Sequence, residues 1–258
     1  MNPIRIIFFD IDGTLVDPQT GRISDKTTET VHRLQANGIK CGVVTGRPPA
    51  SLPDFSGLRF DVVATFNGCF CCADTQTIYS NPIDPADIPV ILANAKALGR
   101  PVSVAVKGRL SANGWDEDLA DYYKLAGVRL TVDADFEKVL EEDIYQIMLG
   151  CRKQDHTSII QGARNVKLTF SWDRAADVIP ASGGKGAAIR HILAYFGFDR
   201  SESLAFGDGF NDVEMFREVG AGIAMGNGAP ELKAVATAVC GHVHDDGIYR
   251  FCLENGLI

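Results

Sequence analysis

The feature that most constrains this chain is a short N-terminal stretch in which an apolar run leads directly into two carboxylates. Residues 6–9 are Ile-Ile-Phe-Phe, a pattern typical of a strand buried on both faces of a parallel sheet. Asp10 and Asp12 follow where that strand should end, at the edge where α/β proteins place their chemistry. Two carboxylates this close repel each other, which favours a raised pKa or a bound cation. On this stretch alone, an ordinary strand followed by an acidic turn explains the residues equally well.

Composition and charge exclude several classes of partner. The chain has 258 residues, of which 46% are hydrophobic, and a net charge of −8 without a clustered lysine or arginine run. Because binding to a phosphate backbone requires a basic surface, nucleic acid is not an expected partner. No apolar stretch approaches the length of a membrane span, and no signal peptide pattern precedes the first strand. We therefore expect a cytoplasmic protein with no membrane partner and no evident obligate protein partner.

The cysteines and the late histidines are interpreted as structural rather than metal-binding. There are seven cysteines, an odd number at irregular spacings, which argues against a disulfide framework. The run from Cys69 to Cys72 lacks the second ligand pair that a structural zinc site usually needs, so reduced, partly buried thiols in a hairpin are expected. His242 and His244 are expected in a surface loop before the last helix.

The order of predicted elements indicates a parallel sheet that is interrupted by a second folding unit. Predicted strands at 39–44 and 61–66 alternate with a helix capped by Ser24, which is the βαβ pattern of a parallel sheet. Between residues 82 and 180, helices followed by paired strands, with helices at 117–125 and 155–161 among them, indicate an α+β insert with an antiparallel sheet. Proline-containing stretches bound this insert on both sides.

The predicted fold is therefore α/β, with a discontinuous parallel-sheet core and an inserted α+β domain. The core consists of residues 1–81 and 181–258, and the insert consists of residues 82–180. The parallel pattern resumes after the insert with a predicted helix at 185–196 and a predicted strand at 203–206.

Four polar clusters follow a predicted strand or begin a predicted helix. They are Asp10 with Asp12, Thr45 with Gly46, Lys185, and Asp208 with Asn211 and Asp212. Each cluster has an ordinary explanation when taken alone: a threonine in a turn, a pair of helix caps or an exposed lysine in a first helical turn. Lys185 is the hardest to explain in this way, because its charge opposes the helix dipole. An anion bound at the same helix N-terminus would explain it.

Taken together, the four clusters match phosphoryl transfer. Asp10 would act as a nucleophile, and Asp208 would help it to hold a hard divalent cation, for which Mg²⁺ is suitable. The Thr45 hydroxyl and the Lys185 ammonium would hold the remaining phosphoryl oxygens. Asp12 would protonate the leaving oxygen and then activate water. A covalent aspartyl-phosphate divides one difficult displacement into two easier steps.

The same residues resemble the four ordered motifs of the haloacid dehalogenase superfamily. The motifs are Asp10-Ile-Asp12-Gly-Thr14, Thr45-Gly46-Arg47, Lys185-Gly186 and Gly207-Asp208-Gly-Phe-Asn211-Asp212. The insert resembles the type IIB cap of the Cof-like phosphatases. This resemblance covers nearly the whole chain, and it implies a Rossmann-like core, a mobile cap and a magnesium-dependent phosphotransfer.

The resemblance also implies a role for each motif residue. Asp10 would be nucleophile and metal ligand, and Asp12 would be acid and base while its carbonyl binds the metal. Asp208 would be the third metal ligand, supported by Asp212. The expected phosphate and substrate contacts are Thr45, Gly46, Arg47, Lys185 and Asn211. Further candidates for contact with the leaving group are Asn67 in the core and Lys107, Arg109 and Asn113 in the cap.

The predicted function is a magnesium-dependent phosphatase of small phosphomonoesters such as sugar phosphates or related metabolites. An acid at position 12 favours a phosphatase or mutase over a dehalogenase, because a halide leaving group needs no proton. A phosphomutase of the phosphomannomutase type is the main alternative, and a non-catalytic phospholigand-binding protein is a further one. A P-loop kinase is not indicated, since the chain contains no Gly-x-x-x-x-Gly-Lys-Ser/Thr sequence.

Overall fold

The computed structural model describes residues 3–55 and 57–258, which form two large sheets, a short hairpin and flanking helices. The strands are β1 (Ile6–Phe9), β2 (Val16–Asp17), β3 (Arg22–Ile23), β4 (Lys40–Val44), β5 (Val62–Thr65), β6 (Phe70–Ala73), β7 (Gln76–Ser80), β8 (Val102–Val106), β9 (Arg109–Ala112), β10 (Gln146–Gly150), β11 (Val166–Trp172), β12 (Ala175–Pro180), β13 (Ser203–Gly207), β14 (Ala221–Ala224) and β15 (Ala238–Val239). The α-helices are α1 (Asp25–Ala36), α2 (Ile88–Ala97), α3 (Glu117–Leu125), α4 (Phe136–Val139), α5 (His156–Ile159), α6 (Lys185–Phe196), α7 (Val213–Glu218), α8 (Pro230–Lys233) and α9 (Gly247–Glu254).

The larger sheet places the first strand at its centre. Its eight strands lie in the order β15-β14-β13-β1-β4-β5-β6-β7, parallel from β15 to β5 and antiparallel through β6 and β7. Phe8 in β1 pairs with Ala205 on one side and with Gly42 on the other. Gly42 permits this close approach, because a Cβ there would lie 2.7 Å from Val62. The carboxyl ends of β13, β1 and β4 consequently meet at one edge.

The strand β1 is buried on both faces, as its apolar run predicts. Ile7 and Phe9 belong to a core cluster that includes residues of α1 and α9, whereas Ile6 and Phe8 belong to a second cluster with residues of α6 and α7. All four side chains are fully buried. Helices therefore cover both faces of the parallel sheet, which is the three-layer architecture expected for an α/β core.

The second sheet is antiparallel and lies entirely within residues 102–180. Its five strands have the order β11-β12-β10-β8-β9. One face packs against apolar residues of α2, α4 and α5. The other face packs against α3 and against Phe66 and Cys69, which follow strand β5 of the larger sheet. The predicted fold class, a parallel-sheet core with an α+β cap, is confirmed, while the residues at which the two units divide stay a prediction.

Several local predictions are confirmed and one is wrong in detail. The helix predicted at 155–161 is instead a 3-10 turn over Lys153–Asp155 that continues into the short helix α5. The cysteine run lies in the β6–β7 hairpin and its thiols are free, as expected, with Cys69 and Cys71 buried. None of the helices within the described residues is both long enough and apolar enough to cross a membrane.

Candidate active site

The three polar motifs that follow strands meet because their strands are neighbours. Asp10, Thr45 and Asp208 come directly after β1, β4 and β13, which run parallel and side by side. The backbone N–H of Asp10 donates to the Phe206 carbonyl at 3.1 Å, so the hydrogen-bond ladder holds Asp10 in place. The Thr45 N–H is held in the same way by the Ala64 carbonyl at 2.9 Å. Sheet topology thus brings together residues that are almost two hundred positions apart in the chain.

Lys185 enters the same site from the N-terminus of α6. Its side chain is fully buried, and its Nζ lies 2.6 Å from Asp10 Oδ1 and 2.6 Å from Asp212 Oδ1. Burial alone lowers the pKa of a lysine, but the attraction of the two carboxylates outweighs burial and raises the pKa of Lys185. The helix can begin here because Gly184 has φ +111°, and a Cβ at that position would overlap the Glu214 carboxylate. Lys185 is therefore a permanent positive charge inside the site.

Three carboxylates surround this lysine. One oxygen from each of Asp10, Asp208 and Asp212 can be chosen so that all lie within 4.8 Å of one another. Burial raises the pKa of Asp10 to about 7; Lys185 opposes the shift, and the charges of Asp212 and Asp12 add to it. Burial, followed by the charges of Asp10 and Asp212, raises the pKa of Asp208 well above its usual value. Burial and the neighbouring carboxylates together raise the pKa of Asp10 and Asp208 in spite of Lys185, and a bound cation would favour their ionised forms.

The three carboxylates are not equivalent in their hydrogen bonds. Asp212 uses Oδ2 to accept from the N–H groups of Asp208 and Gly209, each at 2.9 Å, while its other oxygen pairs with Lys185. Asp208 accepts one bond from Thr14 Oγ1 at 2.8 Å. Gly13 must be glycine, because it has φ +80° and a Cβ there would overlap the Asp208 carboxylate. Asp212 thus shapes the loop, and Asp10 and Asp208 keep oxygens that can bind a metal.

The predicted phosphate-binding residues surround Asn67. The Asn67 N–H donates to the Thr45 carbonyl at 2.9 Å, and Asn211 Nδ2 donates to Asn67 Oδ1 at 3.2 Å. A Cβ at Gly46 would lie 3.0 Å from the same oxygen, so this loop packs closely against Asn67. The Thr45 hydroxyl accepts from the Arg47 N–H at 3.1 Å. Thr45, Gly46 and Asn211 are therefore brought to one place.

Asp12 and Arg47 form a separate pair at the entrance to the site. Arg47 Nη2 and Nε lie 2.6 and 2.8 Å from the two oxygens of Asp12, whose side chain is 46% exposed. Arg47 Nη1 also donates to the carbonyls of Ser51 and Ala126, each at 2.8 Å. Because Ala126 directly follows α3 of the cap, Arg47 links the predicted acid to the cap. The guanidinium is thus directed at Asp12, and its predicted contact with the leaving group stays a prediction.

The cap residues predicted to contact the leaving group have other partners in this structure. Lys107 Nζ lies 4.6 Å from the centre of the Phe70 ring, Arg109 pairs with Glu142, and Asn113 Oδ1 accepts from the Val102 N–H. The cap residues that do reach the core loops were not predicted. Among them are Gln146 and Asp177, which both accept a hydrogen bond from Asn67 Nδ2, and Tyr122, whose hydroxyl lies 3.1 Å from Asp177. A sequence signal for Asp177 does exist, since it is the one charged residue in the buried strand Ala-Ala-Asp-Val-Ile-Pro.

Comparison with known proteins gives consistent matches over nearly the whole chain. A family model described as haloacid dehalogenase-like hydrolase matches residues 7–252. The putative phosphatase YkrA of Bacillus subtilis (strain 168) is 31% identical over 261 residues, covering 98% of each chain. An HMP-PP phosphatase of Enterobacter sp. (strain 638) is 27% identical over 263 residues, covering 96% of this chain and 94% of the relative. A solved HAD subclass IIB sugar phosphatase superposes with a TM-score of 0.91 at 28% identity, covering 98% of this chain and 100% of that one.

Proposed function

Because this chain belongs to the haloacid dehalogenase-like hydrolases, we propose that it is a magnesium-dependent phosphatase that transfers the phosphoryl group of small phosphomonoesters to Asp10. Its enzyme class, phosphoric monoester hydrolase, is that of relatives named as phosphatases. The observation that carries the proposal is that Asp10 and Asp208, at the ends of adjacent parallel strands, meet the buried Lys185 from the N-terminus of α6. We also propose that the enzyme acts in the cytoplasm on small phosphorylated metabolites.

The donor set fits a hard divalent cation. Asp10 and Asp208 offer carboxylate oxygens, and the carbonyl of Asp12 is the proposed third protein ligand. Mg²⁺ prefers a few such oxygens together with water and substrate phosphate. When bound, the cation neutralises charge between the nucleophile and the phosphate and polarises the phosphoryl oxygens. The electrostatic repulsion among the three carboxylates supports this assignment, because a divalent charge relieves it.

Asp10 is the proposed nucleophile. Lys185 holds Asp10 Oδ1 at 2.6 Å, which fixes the direction of the second carboxylate oxygen. That oxygen attacks phosphorus, the bond to the leaving oxygen breaks, and Asp12 supplies the proton that the leaving oxygen needs. In the second step Asp12 takes a proton from water as the water oxygen attacks the aspartyl-phosphate, and inorganic phosphate is released. The proposed mechanism has the phosphoryl oxygens bound by the Thr45 hydroxyl, the Gly46 N–H, Lys185 and Asn211.

The pair of Asp12 and Arg47 connects this chemistry to the cap. Arg47 reaches the carbonyl of Ala126 only while that carbonyl lies over the core, and the same guanidinium holds Asp12. Closure of the cap therefore positions the acid and excludes water around the reacting phosphoryl group. The half-exposed Asp12 side chain turns from Arg47 toward the leaving oxygen when it transfers its proton.

The proposal is tested by phosphate release from p-nitrophenyl phosphate and from a panel of phosphorylated metabolites, in Mg²⁺ and in EDTA. We expect release with Mg²⁺, none with EDTA, and none from Asp10→Asn. Asp135→Asn is the matched control, since it removes an exposed acid of the cap. A phosphomutase would instead return an isomerised sugar phosphate and require a bisphosphate to start. Full activity of Asp10→Asn, or Mg²⁺-dependent ligand binding without hydrolysis, would refute the proposal.

A further inference from the structure

Asp177 is a buried carboxylate of the cap that takes no part in the mechanism described above. Asp177, in the middle of β12, is 2% exposed. Within the described residues, no lysine, arginine or histidine forms an ion pair with it. Burying a charge without an opposite charge is costly, and acids in such positions are usually paired or bind a ligand. Asp177 therefore needs an explanation beyond packing.

The partners of Asp177 satisfy its oxygens without cancelling its charge. The Tyr122 hydroxyl lies 3.1 Å from both carboxylate oxygens, and Asn67 Nδ2 lies 3.0 Å from Oδ2. Gln146 adds a further neutral hydrogen bond, and all of these partners together do not prevent burial from raising the pKa of Asp177 to about 7. Neutral donors fill lone pairs but supply no positive charge. Without a positive charge beside it, the acid therefore keeps its proton up to a pH of about 7.

The position of Asp177 connects it directly to the phosphate-binding loops. It contacts Asn67, which in turn binds the Thr45 carbonyl and the Asn211 side chain. Its other partner, Tyr122, lies close enough to the core that the charge of Asp12 adds to the effects of burial and Asp177 in raising the pKa of the Tyr122 hydroxyl. Asp177 therefore lies on the face of the cap sheet that turns toward the core, and a single residue, Asn67, connects it to the loops that carry Thr45 and Asn211.

We infer that Asp177 binds a hydrogen-bond donor of the leaving group and selects a protonated amine over a hydroxyl or an apolar group. This inference rests on the proposed phosphatase function. An ammonium group supplies both the missing positive charge and several donors, whereas a hydroxyl supplies one neutral donor. An apolar leaving group would supply neither a donor nor a positive charge, and an anionic one would repel the ionised carboxylate. A residue that merely held the cap in place would do so at lower cost as an amide.

The test compares three matched probes: an ω-aminoalkyl phosphate, the ω-hydroxyalkyl phosphate and the plain alkyl phosphate, over a series of chain lengths. Flexible probes are used so that the amine can reach Asp177 from the phosphate site. For the wild type, we expect kcat/KM for the best amine to exceed that for the matched alkyl phosphate by roughly ten- to hundredfold, the worth of a charge-assisted hydrogen bond. In Asp177→Asn, which keeps the side-chain size, the ratio should fall to about one.

Two further variants separate charge from structure. Asp177→Glu keeps the charge and should restore part of the preference for the amine, while Tyr122→Phe removes a neutral donor and should keep it. A uniform loss of kcat/KM for all three probes in Asp177→Asn, with the ratio unchanged, would show a structural role and overturn the inference. Equal kcat/KM for the three probes in the wild type would overturn it while leaving the phosphatase proposal intact. Failure of the wild type to release phosphate from p-nitrophenyl phosphate would instead refute the proposed function, and the inference with it.

Discussion

Two groups of charges in this molecule are built in opposite ways. In the core, Asp10 and Asp212 share the single ammonium of Lys185, and Asp208 adds a third carboxylate beside them. In the cap, a single carboxylate, Asp118, accepts hydrogen bonds from three guanidinium groups at 2.6 to 3.1 Å. They belong to Arg100, Arg152 and Arg174.

The pKa shifts express the difference between the two groups. Hydrogen bonds from Arg152, and then from Arg174, lower the pKa of Asp118 to about 2 although the residue is buried. Burial raises the pKa of Asp10 to about 7 in spite of Lys185. An acid whose pKa is lowered by neighbouring positive charges contributes to the free energy of unfolding at neutral pH. An acid whose pKa is raised by burial does not, and such acids are common where a ligand binds. The comparison indicates that the cap cluster stabilises the fold, whereas the core cluster holds carboxylates whose ionised forms a bound cation would favour.

The largest expected effect comes from removing the nucleophile. Asp10→Asn should lower phosphate release by more than about a thousandfold, because the substitution removes the attacking oxygen. Its free energy of unfolding in EDTA should not fall, since the change removes one of three carboxylates that repel one another. Steady-state kinetics and urea unfolding of the same preparation check both parts. A loss of stability as large as that of an Asp118 variant would contradict the comparison.

Removal of Asp118, in contrast, should lower the free energy of unfolding. Asp118→Ala leaves three guanidinium groups without their shared carboxylate, and we expect a loss of roughly 2–4 kcal/mol in the free energy of unfolding. This expected loss is smaller than the loss on breaking a fully buried ion pair, because the arginine side chains are partly exposed and can be hydrated. Asp135→Ala, which removes an exposed acid of the same cap, should cost less than about 1 kcal/mol. Equal losses in the two variants would show that the arginine cluster is not stabilising.

Binding of Mg²⁺ should stabilise the core cluster. At a Mg²⁺ concentration of about one hundred times Kd, the free energy of unfolding should rise by about 2.7 kcal/mol, because only the folded chain assembles the ligands. Asp208→Asn should lose this gain, whereas Asp135→Asn should keep it. Thermal unfolding across a Mg²⁺ titration measures the effect. An equal gain in Asp208→Asn would place the cation elsewhere.

The last expected effect concerns pH and Asp177. The pKa of Asp177 is raised from 3.8 to about 7, so between these values the folded chain holds a proton that the unfolded chain has released. Its contribution to stability is therefore present at low pH and is lost as pH rises to about 7. Asp177→Asn should remove this component from the pH dependence of unfolding. Parallel pH profiles for wild type and variant would contradict it.

The sequence predicted the parts of the site that depend on short motifs. Asp10, Thr45 and Asp208 follow apolar strands, and topology alone then brings them together. Helices α3 and α6 begin and end at the predicted residues, because their apolar periodicity and first-turn residues are clear. The two-residue strands β2, β3 and β15 are too short to show any periodicity, and they were not predicted.

The cap contacts could not be predicted in the same way. The arginines around Asp118 come from separate elements and form no local motif, so only the tertiary structure shows that they meet. The contacts of Asp177 with Asn67 likewise join residues 110 positions apart. The bidentate pairing of Arg47 with Asp12 depends on two loops whose side-chain directions no sequence pattern specifies.

Chemical trapping of the phosphorylated residue tests whether Asp10 is the nucleophile. The enzyme is mixed with p-nitrophenyl phosphate and Mg²⁺, quenched during turnover and treated with borohydride, which reduces an acyl phosphate of aspartate to homoserine. Peptide mapping then identifies the modified position, with enzyme treated without substrate as the control. We expect homoserine at position 10 and at no other aspartate. Continued phosphate release with Asp10 unmodified, or modification of a different residue, would contradict it.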